Sequence, residues 1–304
     1  VNWQQVRSGV TWLAAGAAIA VVGFLLLRLL DDNNSGANSG AVDTSANSAN
    51  SVAEADPVST AAPTTVTRSP LGDTPDPGPV PDNHSLSDEE LADALASSVR
   101  VSGAACRGIV REASGFAVAE SDLVVSIAHL MTGMSEPSVE LIDGRILPAQ
   151  LVALDLVNDL SVLRVPGASL KPLTLSEAVP DGTVGAVLAW EGESEPDPTP
   201  FRIDRPVTVL TEPVGGGDQI QRPSWLLAAD TEVGDSGAAL AVGARTVADE
   251  LDGERIAVVG VAWGASRRGG GGVAYATRAK AVQKLLDSSD LSEPVAPPSC
   301  DEAR

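Results

Sequence analysis

The folded part of this chain is predicted to be all-β. Short apolar runs rich in Val, Ile and Leu recur from Val99 onward, and Gly, Pro or Asp lies between them. Runs of that length, separated by turn residues, are the pattern of a β-sandwich or barrel. No strands alternate with long amphipathic helices, so a Rossmann-type sheet is disfavoured. The runs are Gly115–Ala119, Leu123–Ile127, Ile146–Leu154, Ser161–Val165, Val184–Trp190, Ile203–Leu210, Trp225–Ala229, Ile256–Trp263 and Val273–Thr277.

The N-terminal third reads differently. Ser8–Leu27 is a run of 20 residues without charge, between Arg7 and Arg28. As a helix it would be about 30 Å long, enough to cross a bilayer core. Trp3 and Trp12 suit one interface, and Arg7 favours a cytoplasmic N-terminal side. A cleaved signal peptide is the competing reading, but the run is long for one and no small-x-small site follows closely. The predicted organisation is a short cytoplasmic segment at 1–7, a transmembrane helix at 8–30, a tether at 31–85 and a folded domain at 86–304. The tether is rich in Ser, Asn, Ala, Thr, Pro and Gly and carries eight acids against one base, Arg68. With so few large apolar residues it cannot offset its ordering entropy, and it is expected to be disordered.

Two helices are expected in the folded domain. Ser87 and Glu90 form a capping box, with Leu86 and Leu91 as the staple pair. Leu91, Leu95 and Val99 then share one helical face. A last helix at Ala279–Leu286 groups Ala281, Val282, Leu285 and Leu286.

The formal charge of −21, from 41 acids and 20 bases, repels phosphate backbones and excludes general nucleic-acid binding. The two cysteines, Cys106 and Cys300, form no C-x-x-C motif, so neither a zinc ribbon nor a redox pair is indicated. No cluster of His, Cys and carboxylate supports a metal, and no cofactor is implied. The glycine runs at 215–217 and 269–272 lack the strand-to-helix setting of a phosphate loop.

Three segments carry chemistry. His129 lies in Ser126-Ile-Ala-His-Leu130, just after an apolar strand; the other histidine, His84, is in the tether. Asp159 begins the strand of Asn158-Asp-Leu-Ser-Val-Leu163, with Asp155 as a nearby rival. Ser236 lies in Gly234-Asp-Ser-Gly-Ala-Ala239, where the glycine permits a sharp turn. There the amides of Gly234 and Ser236 can converge on one oxygen anion. Ala238 replaces the last glycine of G-x-S-x-G, so an α/β-hydrolase elbow is not indicated. The order His, Asp, Ser on an all-β background is that of chymotrypsin-like proteases.

These segments resemble the trypsin-like serine proteases. Ser126–Leu130 resembles T-A-A-H, Asn158–Leu163 resembles the D-L-A-V-L of HtrA-type members, and Thr231–Leu240 resembles the segment around the catalytic serine. Val261-Ala-Trp-Gly264 resembles the V-S-W-G strand that pairs with bound substrate, and Gly272–Thr277 resembles the strand closing the specificity pocket. The chain is also similar to membrane-anchored acid-resistance proteases of the MarP type, which place cysteines in comparable positions. Those carry several membrane helices, and HtrA proteins usually add a PDZ domain for which this sequence has no residues. Ala238 and Ala239 also depart from the usual Gly-Pro.

The resemblance implies two six-stranded antiparallel β-barrels with a C-terminal helix. It implies a serine endopeptidase acting on protein or peptide substrates, in envelope stress or protein processing, with His129, Asp159 and Ser236 as triad and Gly234 and Ser236 as oxyanion donors. Asp230 would lie at the base of the primary pocket and favour a basic side chain. Ala262, Trp263, Gly264 and Gly272 would bind substrate, and Glu232 could add to an acidic rim. Asp235 would have the position that pairs with a freed amino terminus in secreted zymogens, with Arg107-Gly-Ile-Val110 as a conceivable cleavage point. An exported domain makes Cys106–Cys300 a disulfide. A catalytically inactive peptide-binding module of the same fold and a structural envelope protein are the alternatives.

Overall fold

The computed structural model describes residues 75–190, 196–232, 234–249, 251, 253–266 and 272–300. The expected membrane helix, and the tether up to residue 74, lie outside them. Among the described residues no helix is long and apolar enough to cross a membrane.

Residues 75–85, read above as the end of the tether, are held on the folded domain. Pro77 is buried and its carbonyl accepts a hydrogen bond from Arg202 Nη2 at 2.6 Å. The Ser85 hydroxyl donates to the Val184 carbonyl, and Arg245 Nη2 donates to the Ser85 carbonyl at 2.9 Å. Helix α1, Asp88–Leu95, follows with the expected capping box: Ser87 N–H donates to Glu90 Oε2 at 2.8 Å and Glu90 N–H to Ser87 Oγ at 3.4 Å. The helix ends before Val99, which belongs to a strand. The hydroxyls of Ser97 and Ser98 turn back to the carbonyls of Asp93 and Ala94 at 3.3 Å each, and Ser97 also donates to Lys171 O at 2.7 Å. Such local bonds compete with helix continuation.

The first sheet contains β1 (Ser98–Ala104), β2 (Val110–Ala117), β3 (Leu123–Ser126), β4 (Ser135–Leu141), β5 (Ile146–Pro148), β6 (Gln150–Asp155) and β7 (Leu160–Arg164). Its order is β5-β4-β1-β2-β3-β7-β6. A four-residue helix, α2 (Ala128–Met131), leads out of β3. The single run Ile146–Leu154 divides because its two halves pair with different strands: β5 pairs with β4, with Ala149 N–H still bonded to Pro137 O at 2.8 Å, and from Gln150 onward β6 pairs with β7.

The second sheet contains β8 (Thr174–Leu175), β9 (Val184–Ala189), β10 (Asp197–Thr211), β11 (Ile220–Ala229), β12 (Ala239–Gly243), β13 (Ile256–Ser266) and β14 (Val273–Arg278). The order is β12-β9-β10-β11-β14-β13-β8, and β12 also pairs with β13. Six strands therefore close a ring, with β8 added outside it and parallel to β13. Helix α3, Ala279–Ser288, ends the ordered elements.

The expectation of two six-stranded antiparallel barrels needs correction in detail. Both sheets have seven strands, only the second closes among the described residues, and one pairing is parallel. The extra strands are the short β5 and β8. They carry too few residues to show a period.

Three apolar cores result. One fills the first sheet around Val99, Val124, Met131 and Leu163. Another fills the second around Phe201, Leu227, Leu240 and Val259. The third lies between them and packs Phe116, Leu160 and Leu188 against Val282, Leu285 and Leu286 of α3. It fixes the first sheet against the second, so residues at the edges of both can share one cleft.

Candidate active site

The turn before β7 positions Asp159. Asp155 Oδ1 accepts the N–H groups of Val157 and Asn158 at 3.0 and 2.9 Å, and Asp155 Oδ2 accepts Asn158 Nδ2 at 2.7 Å. Asp155 thus shapes the turn that presents Asp159. Asp159 leaves it with φ +58°, a left-handed conformation that Asp tolerates better than most residues. Its carboxylate is buried and grips His129 twice. Oδ1 accepts the His129 backbone N–H at 2.8 Å, and Oδ2 lies 3.0 Å from Nδ1. Arg111 Nη1 donates to the His129 carbonyl at 3.2 Å and fixes α2 from β2.

Behind Asp159 stands Arg222, on β11. Its side chain is only 2% exposed and its Nη1 lies 3.5 Å from Asp159 Oδ2. Arg222 Nε donates to Val157 O at 2.8 Å, and the guanidinium lies 4.6 Å from the centre of the Trp263 ring. Burial pulls the Arg222 guanidinium below its usual value, and the carboxylates of Asp159 and Asp155 act the other way.

Ser236 comes from the other sheet, in the loop before β12. Ser114 of β2 ties that loop down. Ser114 N–H donates to Ser236 O at 2.9 Å, its hydroxyl donates to Gly234 O at 3.1 Å, and the same hydroxyl accepts Trp190 N–H at 2.8 Å. Gly237 must be glycine, because φ is +90° and a Cβ there would collide with the Ser114 carbonyl oxygen. Gly234 has φ +118°, which only glycine adopts readily. Among the described residues neither Gly234 N–H nor Ser236 N–H donates to a protein acceptor.

His129 and Ser236 line one cavity of about 570 Å³, with Gly234, Ala262, Trp263 and Gly264. No hydrogen bond joins Ser236 Oγ to His129 among the described residues. Gly237 N–H donates to Ala262 O at 2.8 Å and Ala262 N–H to Ala238 O at 3.0 Å, which fastens β13 to the serine loop. Trp263 sits where the β13–β14 register shifts, with its ring on Tyr275 at 5.7 Å and its Nε1 donating to Ser224 Oγ at 3.3 Å.

Asp230 and Gly272 lie apart from this cavity. Asp230 is exposed, and its Oδ1 is 3.8 Å from where a Cβ of Gly272 would be. Neither lines the cavity; the carboxylates that do are Glu112, Glu232 and Asp235. Asp235 is buried and its Oδ2 accepts Glu232 N–H at 2.8 Å, which closes the serine turn locally. Ile109 and Val110 are 60% and 64% exposed in the turn into β2. Cys106 and Cys300 meet with Cα atoms 5.7 Å apart. Ser114, Arg222 and Glu112 had not been expected at the site. Ser114 lies just before the apolar run Gly115–Ala119, and nothing in the sequence singled out either it or Arg222.

Residues 113–248 match the trypsin-like peptidase domain family. A probable periplasmic serine endoprotease, DegP-like, of Halomonas elongata is 38% identical over 95 residues, 31% of this chain. The chain spans about a fifth of that relative, 19% of its length. Among solved structures, the active form of the Rv3671c protease of M. tuberculosis is 26% identical, with a TM-score of 0.63 over 76% of this chain and 98% of that one. An inactive form of the same protease aligns with a TM-score of 0.53 over 65% of this chain and 91% of the other. The HtrA-type protease AlgW with a tripeptide, at 20% identity and a TM-score of 0.53 over 66% of this chain and 62% of that one, shares the fold.

Proposed function

We infer that this chain, with its trypsin-like peptidase domain at residues 113–248, is a serine endopeptidase of the HtrA type. One observation carries the reading: His129, held twice by the buried Asp159, faces the same cavity as Ser236, which comes from the other sheet. In this reading His129 Nε2 takes the Ser236 proton as Oγ attacks a peptide carbonyl. It then gives that proton to the leaving amine. Asp159 holds the imidazole with its proton on Nδ1 and stabilises the imidazolium as it forms. The Gly234 and Ser236 amides receive the oxyanion, an effect worth about 3–4 kcal/mol per donor in related sites. The Ser236–His129 contact closes when substrate enters, as catalytic hydrogen bonds commonly do.

The edge of β13 at Ala262–Gly264 receives the substrate backbone as an added strand. Glu112 and Glu232, rather than Asp230, give the cleft its negative charge, which favours basic residues near the scissile bond. The domain works outside the cytoplasm, held by a membrane helix at 8–30. There the approach of Cys106 to Cys300 becomes a covalent bridge.

A peptide library read by mass spectrometry tests this. Wild type should cleave it with enrichment of Lys or Arg beside the cut, and Ser236→Ala should not cleave. Equal cleavage by Ser236→Ala would refute the assignment. Binding without cleavage by wild type would favour the inactive peptide-binding module.

A further inference from the structure

The chain places a buried cation behind the acid of its proposed triad. Arg222 is fixed on three sides. Nε donates to the Val157 carbonyl in the turn that presents Asp159, Nη1 lies 3.5 Å from Asp159 Oδ2, and the guanidinium plane covers Trp263. Asp159 Oδ2 is the oxygen that faces His129 Nδ1. Trp263 lies on β13, in the wall of the cavity that Ser236 lines. The same ring stacks on Tyr275, donates through Nε1 to the Ser224 hydroxyl and packs against the core of the first sheet, so the guanidinium joins contacts that already seat Trp263 between Asp159 and the cavity wall. An arginine suits this place because a flat, delocalised cation can stack on an indole and still donate at its edges, which a lysine ammonium cannot.

We propose that Arg222 is a positioning residue that couples the substrate-binding strand to the triad, by holding Asp159 through its charge and Trp263 through its face. The proposal rests on the peptidase reading for its catalytic meaning, but its geometry stands without turnover. A peptide added along Ala262–Gly264 presses on Trp263, and the stacked guanidinium carries that load to Asp159 and so to His129. The triad would then be tightest when the strand is occupied.

The test uses the full chain and reads the His129 ring N–H that faces Asp159. The chain has two histidines, so a His84→Ala background leaves one imidazole. Its Nδ1 proton should resonate far downfield and exchange slowly in the parent protein. Arg222→Met, which keeps the length and removes the charge, should speed that exchange by about tenfold or more. Trp263→Leu leaves both charges in place and should also speed it, and the double variant should be no worse than Arg222→Met alone. Arg222→Lys restores charge without the stack and should fall between the parent and Arg222→Met. Parent-like exchange in Arg222→Met, no effect of Trp263→Leu, or additive effects would each overturn the coupling. Trp263→Leu also keeps the test alive if Arg222→Met does not fold.

Turnover supplies the second readout, counted per site labelled by a fluorophosphonate. Arg222→Met should lower kcat by about tenfold and change KM less. A purely structural role would lower the number of labelled sites and leave kcat per site unchanged. If the parent turns over no peptide, the peptidase reading fails, and the exchange measurements still decide the coupling.

Discussion

Asp159 accepts hydrogen bonds from His129 through both carboxylate oxygens and faces Arg222 from behind; Asp159 and Arg222 are buried, while the His129 ring reaches the surface. Two consequences separate at this residue. Asp159→Asn keeps the shape but cannot hold the imidazole with its proton on Nδ1, so kcat should fall by about four orders of magnitude. It also strips a buried cation of its counterion, which costs about 3–5 kcal/mol. Adding Arg222→Met to Asp159→Asn should restore much of that stability and none of the activity, as denaturant unfolding and peptide turnover would show. Equal loss of stability in the single and double variants would contradict this account of the pair. The sequence marked Asp159 through the strand that follows it, and it left Asp155 as a rival. What separates the two is the turn itself, where Asp155 spends its oxygens on Val157 and Asn158.

Among the elements, α1 shows most directly how local chemistry supports the cleft from a distance. Its residues Leu91 and Leu95 pack on the core between the two sheets, and its capping box was readable as Ser87 and Glu90. Burial favours the protonated form of Glu90, but the N–H and hydroxyl of Ser87 and the Arg245 guanidinium outweigh it and hold the carboxyl below its ordinary value. A carboxyl depressed by folding contributes stability that is complete above its unfolded value and is lost as pH falls through the folded value. Glu90→Gln should therefore cost about 1 kcal/mol near neutral pH, with the gap closing as pH drops below the carboxylate range. Thermal unfolding of both proteins across pH would show it; a constant gap would mean that the charge is irrelevant. Strands were less legible than this helix. The Val-rich runs appear as β3, β7, β9, β13 and β14. In β4, however, a polar strand with Pro137 buries only Val139 and Leu141, and β8 has two residues paired to a distant partner. Their strand character comes from the neighbour they pair with, which no local pattern records.

At the scale of the whole molecule, the all-β class followed from the spacing of the apolar runs, whereas the separate sheets that carry the His129 and Ser236 segments emerge only in the folded chain. The charge behind the Asp159–His129 pair was not legible in the sequence either, because Arg222 reaches Asp159 across 63 residues of sequence. The C-terminal tail is a similar case. It crosses the first sheet with Val295 N–H on Leu151 O at 2.8 Å, and its Pro298 carbonyl accepts Gly133 N–H at 2.7 Å. Gly133 follows α2, and a Cβ there would strike both cysteine sulfurs. A bridge between Cys106 and Cys300 closes a separation of 194 residues, for which chain entropy gives about 5 kcal/mol. Reductant should lower the unfolding midpoint by a corresponding amount in the oxidised protein and leave Cys106→Ser/Cys300→Ser unmoved. A midpoint insensitive to reductant in wild type would remove the bridge from this account.

The central claim is that Ser236 is a nucleophile activated by His129 across the two sheets, and a fluorophosphonate probe on the full chain tests it most directly. The account predicts covalent labelling of wild type at Ser236 and none of Ser236→Ala, with labelling of His129→Ala slowed by several orders of magnitude, about 10³ or more. Equal labelling of wild type and Ser236→Ala, or no labelling of wild type in either redox state at neutral and acid pH, would contradict it.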